Sequence, residues 1–331
     1  MTAGWRAVPL ADAAAGWTAV AGGTDTGWLF APGGRWAAVT GSDSAPLLGT
    51  VPMRTALGAA VFDSPAGDES GLRCVAAVSG ARTQDDRAAL CLFATDRGRF
   101  GVADDIVAKI IDVPTDGPVA HWPVLGGGGS AGPVVTAWAD GDETVTLRST
   151  VVDPSRHTID TPTRAHLPER PWRLQAGWAA GTVVVLVTDS RGTRLLSAAG
   201  DPIPVARASG ASHLTDGLVV TPSTSGLIDV VDIASASRRR LEPAAPPDGG
   251  VLRSASIVRA GTARFLVWET AVPPEGGFAT ATGWLAPLGT AGGIGPASRL
   301  PGGPGLVAGI GDRLVVAPAD APSIVFVGLP G

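Results

Sequence analysis

The chain of 331 residues contains no tyrosine and no asparagine, and Lys109 is its only lysine. Those absences remove a phenol nucleophile, an asparagine cap or ligand, and any N-glycosylation acceptor. They fit GC-rich coding rather than a functional choice. Cysteine is nearly missing as well. Cys74 and Cys91 fall in neighbouring apolar runs, RCVAAVSG and AALCLFATD, where they are expected to face each other across a hairpin as small buried thiols, not as a disulfide. No apolar run reaches 18 residues, and the N-terminal MTAGWRAVPLADAAAGW lacks the apolar core and cleavage site of a signal peptide. The expectation is a cytoplasmic protein without a membrane partner. Basic residues are outnumbered, 25 against 30 acidic, giving a net charge of −5 and a pI near 5.4. Nucleic acid as a partner calls for the opposite balance, so none is expected. Helical periodicity is absent too, with ADDIVAKIIDV (103–113) the one rival to an all-strand reading.

What the chain has in excess is turn chemistry. Its 46 glycines and 28 prolines alternate with dense Val/Leu/Ala runs, as turns between many short strands do. Hairpins recur: WLFAPGGRWAAV, VAAVSGARTQDDRAALCLF, VVTAWADGDETVTLR, VVVLVTDSRGTRLL, LVVTPSTSGLIDVV, FLVWETAVPPEGGFATATGWL and LVVAPADAPSIVFV. Their turns centre near residues 33, 84, 141, 191, 224, 274 and 320, a mean spacing of about 48, the period of four-stranded propeller blades. A Gly/Ala-rich segment precedes most hairpins, such as HWPVLGG or GLVAGIG, and suits a strand packed near a central axis. After the hairpins, FGVADDIVA, HTIDTP, DPIPVA and SRRRLEP supply outer strands. The last hairpin has none, and WRAVPL at residues 5–10 is expected to complete it and close the ring. The reading is all-β: one domain, 1–331, built as a seven-bladed β-propeller of four-stranded antiparallel blades.

At fold level the chain resembles the superfamily of WD40-like, Kelch-like and TolB-like propellers along its whole length. It lacks the Gly-His and Trp-Asp pair of each WD40 blade, the phased Gly-Gly of Kelch repeats and calcium-type aspartate boxes. The resemblance implies the fold and carries no family function with it.

Candidate site residues come from the rare side chains. His121 and His213 precede or begin inner strands, which places them at one mouth of the channel as acid and base; Glu275, on a hairpin turn, is the third catalytic candidate. Trp17, Trp122 and Trp172 lie beside inner strands and suit stacking on a ligand. Asp140 and Asp142 belong to acidic turns, with Asp85, Asp86, Glu143 and Asp189, which would make the mouth face acidic. Trp28, Trp36, Trp138 and Trp268 read as inter-blade core, while His157 and His166 read as solvated. Ser130 in GGSAG matches a nucleophile pattern, but a strand follows where that elbow needs a helix. Arg238–Arg240 reads as a charged outer edge. No metal site or cofactor is expected. Function is expected to be binding of a small-molecule ligand or protein by a monomeric scaffold through the channel-mouth face. The alternative is a hydrolase, lyase or cyclase, as in natural-product biosynthesis, using the two histidines.

Overall fold

The computed structural model describes residues 5–9, 16–40, 46–62, 72–95, 106–127, 132–205, 208–209, 211–223, 225–243, 250–272, 280–289, 292–300, 302–318 and 323–327. Strand β1 (Trp5–Pro9) stands apart from the sheet that follows it. That sheet is β2 (Ala19–Gly22), β3 (Thr26–Phe30), β4 (Arg35–Thr40) and β5 (Leu47–Thr50). The next is β6 (Gly58–Val61), β7 (Arg73–Ala81), β8 (Ala88–Thr95) and β9 (Val107–Asp112). A third holds β10 (Val119–Gly127), β11 (Val134–Asp140), β12 (Val145–Asp153), β13 (Thr158–Ile159) and β14 (Thr163–Leu167). Then come β15 (Arg173–Ala179), β16 (Thr182–Asp189), β17 (Gly192–Ser197) and β18 (Pro202–Ile203), followed by β19 (His213–Thr215), β20 (Leu218–Pro222), β21 (Ile228–Asp232) and β22 (Arg238–Leu241). β23 (Val251–Ala260), β24 (Ala263–Val272), β25 (Thr280–Leu288) and β26 (Ser298–Arg299) form another sheet. The last hairpin adds β27 (Gly305–Ile310), β28 (Arg313–Pro318) and β29 (Ser323–Val327).

Every sheet is an antiparallel meander with its first strand innermost, and each innermost strand touches the next around the ring, β27 returning to β2. This is a β-propeller. Closure comes from β1, which pairs antiparallel with β29, Trp5 opposite Val327 through Pro9 opposite Ser323. The N-terminal strand thus covers an edge that would otherwise expose an unpaired backbone. Six of the predicted Gly/Ala-rich segments, in β2, β6, β10, β15, β23 and β27, are innermost strands.

Small residues are required there. A Cβ on Gly126 of β10 would lie 1.8 Å from the Ala176 carbonyl oxygen of β15, and one on Gly309 of β27 would lie 1.8 Å from the Arg259 oxygen of β23. Farther out, side chains of facing sheets fill the wedge. Trp28, Trp36 and Phe93 form one such cluster between the first two sheets, with ring centroids 5.0–5.7 Å apart. Trp138 is fully buried between the second and third sheets, and Trp268 sits 2% exposed in the cluster joining β20 and β21 to β23–β25.

Three expectations change. The blades are not uniformly four-stranded: six sheets have four strands and that of β10–β14 has five. β12 is long enough for two partners, β13 against Val152–Asp153 and β14 against Val145–Ser149, and Pro162 lies between these two short strands. The cysteines do not face each other. Cys74 pairs with Ala94 and Cys91 with Val78, a bulge follows Cys74, and the two thiols enter different core clusters. Neither forms a disulfide, and burial pushes the Cys91 thiol up to about 12. The segment at 103–113 follows the all-strand reading, with Val107–Asp112 forming β9, and no α-helix occurs among the described residues. His157 is buried at 2% exposure, whereas His166 is exposed as expected.

One buried ion pair fixes the third sheet. Asp140, at the end of β11, accepts from Arg148 Nε at 3.0 Å, and both side chains are almost fully enclosed. Arg148 Nη2 also reaches Asp116 at 2.5 Å, which ties the segment between β9 and β10 to the blade. Asp140→Ala leaves a buried guanidinium without that partner, so unfolding free energy is expected to fall by roughly 3–5 kcal/mol. Asp86→Ala breaks only the exposed pair to Arg54 and is expected to cost less than about 1 kcal/mol. Chemical denaturation of the two variants checks this, and equal small losses would contradict it.

Candidate functional site

Pairing fixes which side chains share a mouth. Val119 at the start of β10 is opposite Asp140 at the end of β11, and Arg173 at the start of β15 is opposite Thr188 near the end of β16. The turns after β11 and β16 therefore lie on the face where the inner strands begin. That face holds a cavity of about 790 Å³, within the usual size range of ligand pockets. His121 and Trp122 of β10, Trp172 and Arg173 at the start of β15, and His213 of β19 line it together. Arg170, Gln175 and Leu57 complete the polar and apolar sides. Further cavities along the axis, of about 340 and 290 Å³, are lined largely by small residues and backbone of the inner strands.

The segment 170–175 positions both histidines. Arg170 donates from Nε to the Ala120 carbonyl at 2.9 Å and from Nη2 to that of Val119 at 3.2 Å. Those carbonyls immediately precede His121 where β10 bulges, its register shifting on either side of that residue. Gln175 does the same for His213: its amide donates to Ser212 O, and its carbonyl accepts from Leu214 N, both at 2.9 Å. Alternation along β15 explains the arrangement, since Arg173, Gln175 and Gly177 share one face toward β19 while Leu174, Ala176 and Trp178 join the core toward the third sheet.

Both imidazoles are held neutral. Burial lowers the His121 pKa, with the Arg170 charge adding to the effect against a hydrogen bond from Nδ1 to the Trp122 carbonyl at 2.7 Å. Burial and the Arg173 charge bring His213 down to about 4. Arg173 Nη2 lies 3.4 Å from His213 Nε2, consistent with that nitrogen accepting. Burial also lowers Arg173 from its ordinary value, though a guanidinium stays charged.

The structure thus brings together His121, His213, Trp122 and Trp172. It does not bring the carboxylates. Asp140 turns inward to Arg148, and Asp142 is exposed on the turn beside the mouth and does not line the cavity. Glu275 and Ser130 lie outside the described residues. Trp17 packs against the Leu29 and Val315 cluster, and its neighbour Thr18 reaches the cavity instead. Three carboxylates of the acidic turns are met by arginines: Asp85 by Arg82 and Arg87, Asp86 by Arg54, and Asp189 by Arg194 at 2.5 Å. No group of three His, Cys, Asp or Glu side chains suited to a metal occurs among the described residues. Arg170, Arg173 and Gln175 escaped the sequence reading. The signal was available in ERPWRLQ, which carries polar side chains at the same position before an inner strand that singled out the histidines.

No family model matches the chain, and no curated protein matches it. Solved structures do. The WD40 β-propeller domain of Doa1 aligns over 98% of this chain and 97% of its own, with 13% identity and a TM-score of 0.52. Saccharomyces cerevisiae Sqt1 covers 98% of both chains at 9% identity and a TM-score of 0.53. A chain of the Mitotic Checkpoint Complex covers 98% and 91% at 8% identity and a TM-score of 0.55. These likenesses show the β-propeller fold. Among the described residues no helix is long and apolar enough to cross a membrane.

The depressed His213 pKa sets a pH dependence. Unfolding returns the ring to its ordinary value of 6.5, so between pH 6.5 and 4 the unfolded chain binds a proton that the folded chain refuses. Stability is expected to fall as pH drops through that window, by at most about 1.4 kcal/mol per pH unit for this residue. In His213→Gln the difference in unfolding free energy between pH 7 and pH 5 should shrink; an unchanged difference would contradict the assignment.

Proposed function

We propose that the chain is a binding scaffold that takes a segment of a partner protein on its mouth face, with the His121–His213 cavity as the principal contact. The observation carrying this reading is the composition of the cavity: two arginines, two neutral imidazoles and exposed apolar side chains, with no carboxylate among its described lining residues. Trp172 at 62% and Leu57 at 43% exposure are two of the few large apolar side chains turned to solvent, and both are on this cavity. An exposed tryptophan beside arginine is typical of binding hot spots. The likeness to a chain of the Mitotic Checkpoint Complex supports assembly as a use of the fold. Acid–base catalysis fits less well, because it needs groups titrating near working pH, and His213 at about 4 is far below. A nucleic-acid partner is also disfavoured, since Arg238 and Arg240 of the basic outer strand pair with Asp229 at 3.2 Å.

The test is affinity purification with tagged wild type, Trp172→Ala and, as a control on the outer strand β5, Leu48→Ser. A partner recovered by wild type and by the control is expected to bind Trp172→Ala at least about thirtyfold more weakly, the loss typical of a hot spot. Retention by Trp172→Ala at wild-type affinity would contradict the reading.

A further inference from the structure

Among the described residues five large apolar side chains are exposed: Leu48, Leu57, Val107, Trp172 and Val251. Leu48 and Val107 belong to the outer strands β5 and β9, where a single exposed side chain is ordinary. The other three stand where inner strands begin, Leu57 just before β6, Trp172 just before β15 and Val251 as the first residue of β23. They share the mouth face, in alternate sheets around the ring. β23 adjoins β19, whose His213 lines the cavity, so Val251 extends the apolar rim one blade beyond it.

Charge on this face is divided. Several of its arginines meet carboxylates, as Arg54 meets Asp86, Arg148 meets Asp140 and Arg194 meets Asp189. Two exposed arginines form no ion pair among the described residues. Arg170, on the cavity, gives its hydrogen bonds to the Ala120 and Val119 carbonyls and keeps its charge. Arg253 stands at the bulge between Leu252 and Ser254 of β23 and has neither a hydrogen bond nor an ion pair among the described residues. Glu269, on the neighbouring β24, is turned to the Ser254 hydroxyl at 3.4 Å, and Glu242 follows the outermost strand of its sheet. The unmatched acids Asp142 and Glu143 are on the turn between β11 and β12, separated from Arg253 by the blades of β15 and β19.

We infer that the partner segment is acidic and apolar-anchored: an aromatic or aliphatic side chain packs on Trp172 and Leu57, and Asp or Glu side chains lie toward Arg170 and Arg253, away from Asp142 and Glu143. The inference rests on the reading of this mouth as the binding face and adds the chemistry and orientation of what it takes. Complementary charge fixes register and suppresses wrong partners, because like charges set against one another are costly. The net charge of −5 opposes an acidic partner at long range, but salt screens exposed charges beyond about 8 Å. The local arginines therefore decide. Val251, beside Arg253, offers the acidic end of the segment a second apolar contact.

The experiment selects binders from a displayed library of random peptides on the purified full chain, keeping those whose capture is lost in Trp172→Ala. The strongest is synthesised together with an analogue in which every Asp and Glu is replaced by Asn and Gln, and calorimetry reads both. The selected peptides are expected to carry net negative charge and an aromatic or aliphatic residue, and the uncharged analogue to bind at least about tenfold more weakly. Arg253→Glu removes no contact of the described residues, so the fold is expected to be kept. It is expected to weaken the acidic peptide at least about tenfold and the analogue hardly at all, whereas Trp172→Ala weakens both. Selected peptides that are neutral or basic, or an acidic peptide indifferent to Arg253→Glu, would overturn this inference and leave the scaffold reading standing. Failure to recover any peptide that needs Trp172 would contradict the scaffold reading itself and this inference with it. Oligothymidylate bound more tightly than the acidic peptide would assign the face to a single-stranded nucleic acid, and a dimer in light scattering that Trp172→Ala dissociates would assign it to a second copy; either overturns the inference.

Discussion

Neighbouring innermost strands meet backbone to backbone, and the rest of the molecule follows from that approach. A Cβ on Gly22 of β2 would lie 1.9 Å from the Gly309 oxygen of β27, and Gly126 and Gly309 stand in the same relation to β15 and β23. No side chain larger than hydrogen fits at such junctions. Where β15 meets β19, the neighbour is a side chain instead: a Cβ on Gly177 would lie 2.9 Å from Leu214 Cδ2. The close approach keeps the ring narrow at its axis, and the sheets widen outward into wedges filled by Trp28, Trp138 and Trp268. Packing density in such wedges is what makes the ring rigid.

The mouth inherits its geometry from the same junctions. β10 and β15 are adjacent through Gly126, and β15 and β19 through Gly177, so the first residues of three strands converge on one cavity. Arg170 and Gln175 then bridge these strands to one another by hydrogen bonds to the main chain just before His121 and on either side of His213. Recognition groups built this way sit on strand ends rather than on long loops, which favours a preorganised site. The Asp–Arg pairs around the rim, with Asp140–Arg148 the most enclosed, neutralise what would otherwise be an acidic face and leave the interior of the cavity cationic.

Much of this was legible because strands and turns are local. Alternating apolar runs, the Gly/Ala-rich inner segments and the spare WRAVP strand each declare themselves within ten residues. His121 and His213 were legible for the same reason, being rare side chains at the start of inner strands. What was not legible depends on pairing across blades. That Asp140 belongs to Arg148 and Asp189 to Arg194 is a matter of register, as is the failure of Cys74 and Cys91 to meet once a bulge follows Cys74. Arg173 and Gln175 look like ordinary polar residues until β19 is placed beside them. The divided outer strand of the third sheet likewise arises from the length of β12, which offers two stretches of edge to two short strands.

The ring depends on the glycine contacts at its axis. Unfolding free energies of Gly309→Ala and Gly293→Ala, measured together by chemical denaturation, test it most directly. A Cβ at Gly309 meets the Arg259 backbone at 1.8 Å, whereas one at Gly293 meets nothing within 4 Å. The expected result is a loss of at least about 2 kcal/mol for Gly309→Ala, as overpacking against backbone costs, with Gly293→Ala within about 0.5 kcal/mol of wild type. A Gly309→Ala protein as stable as wild type would contradict it.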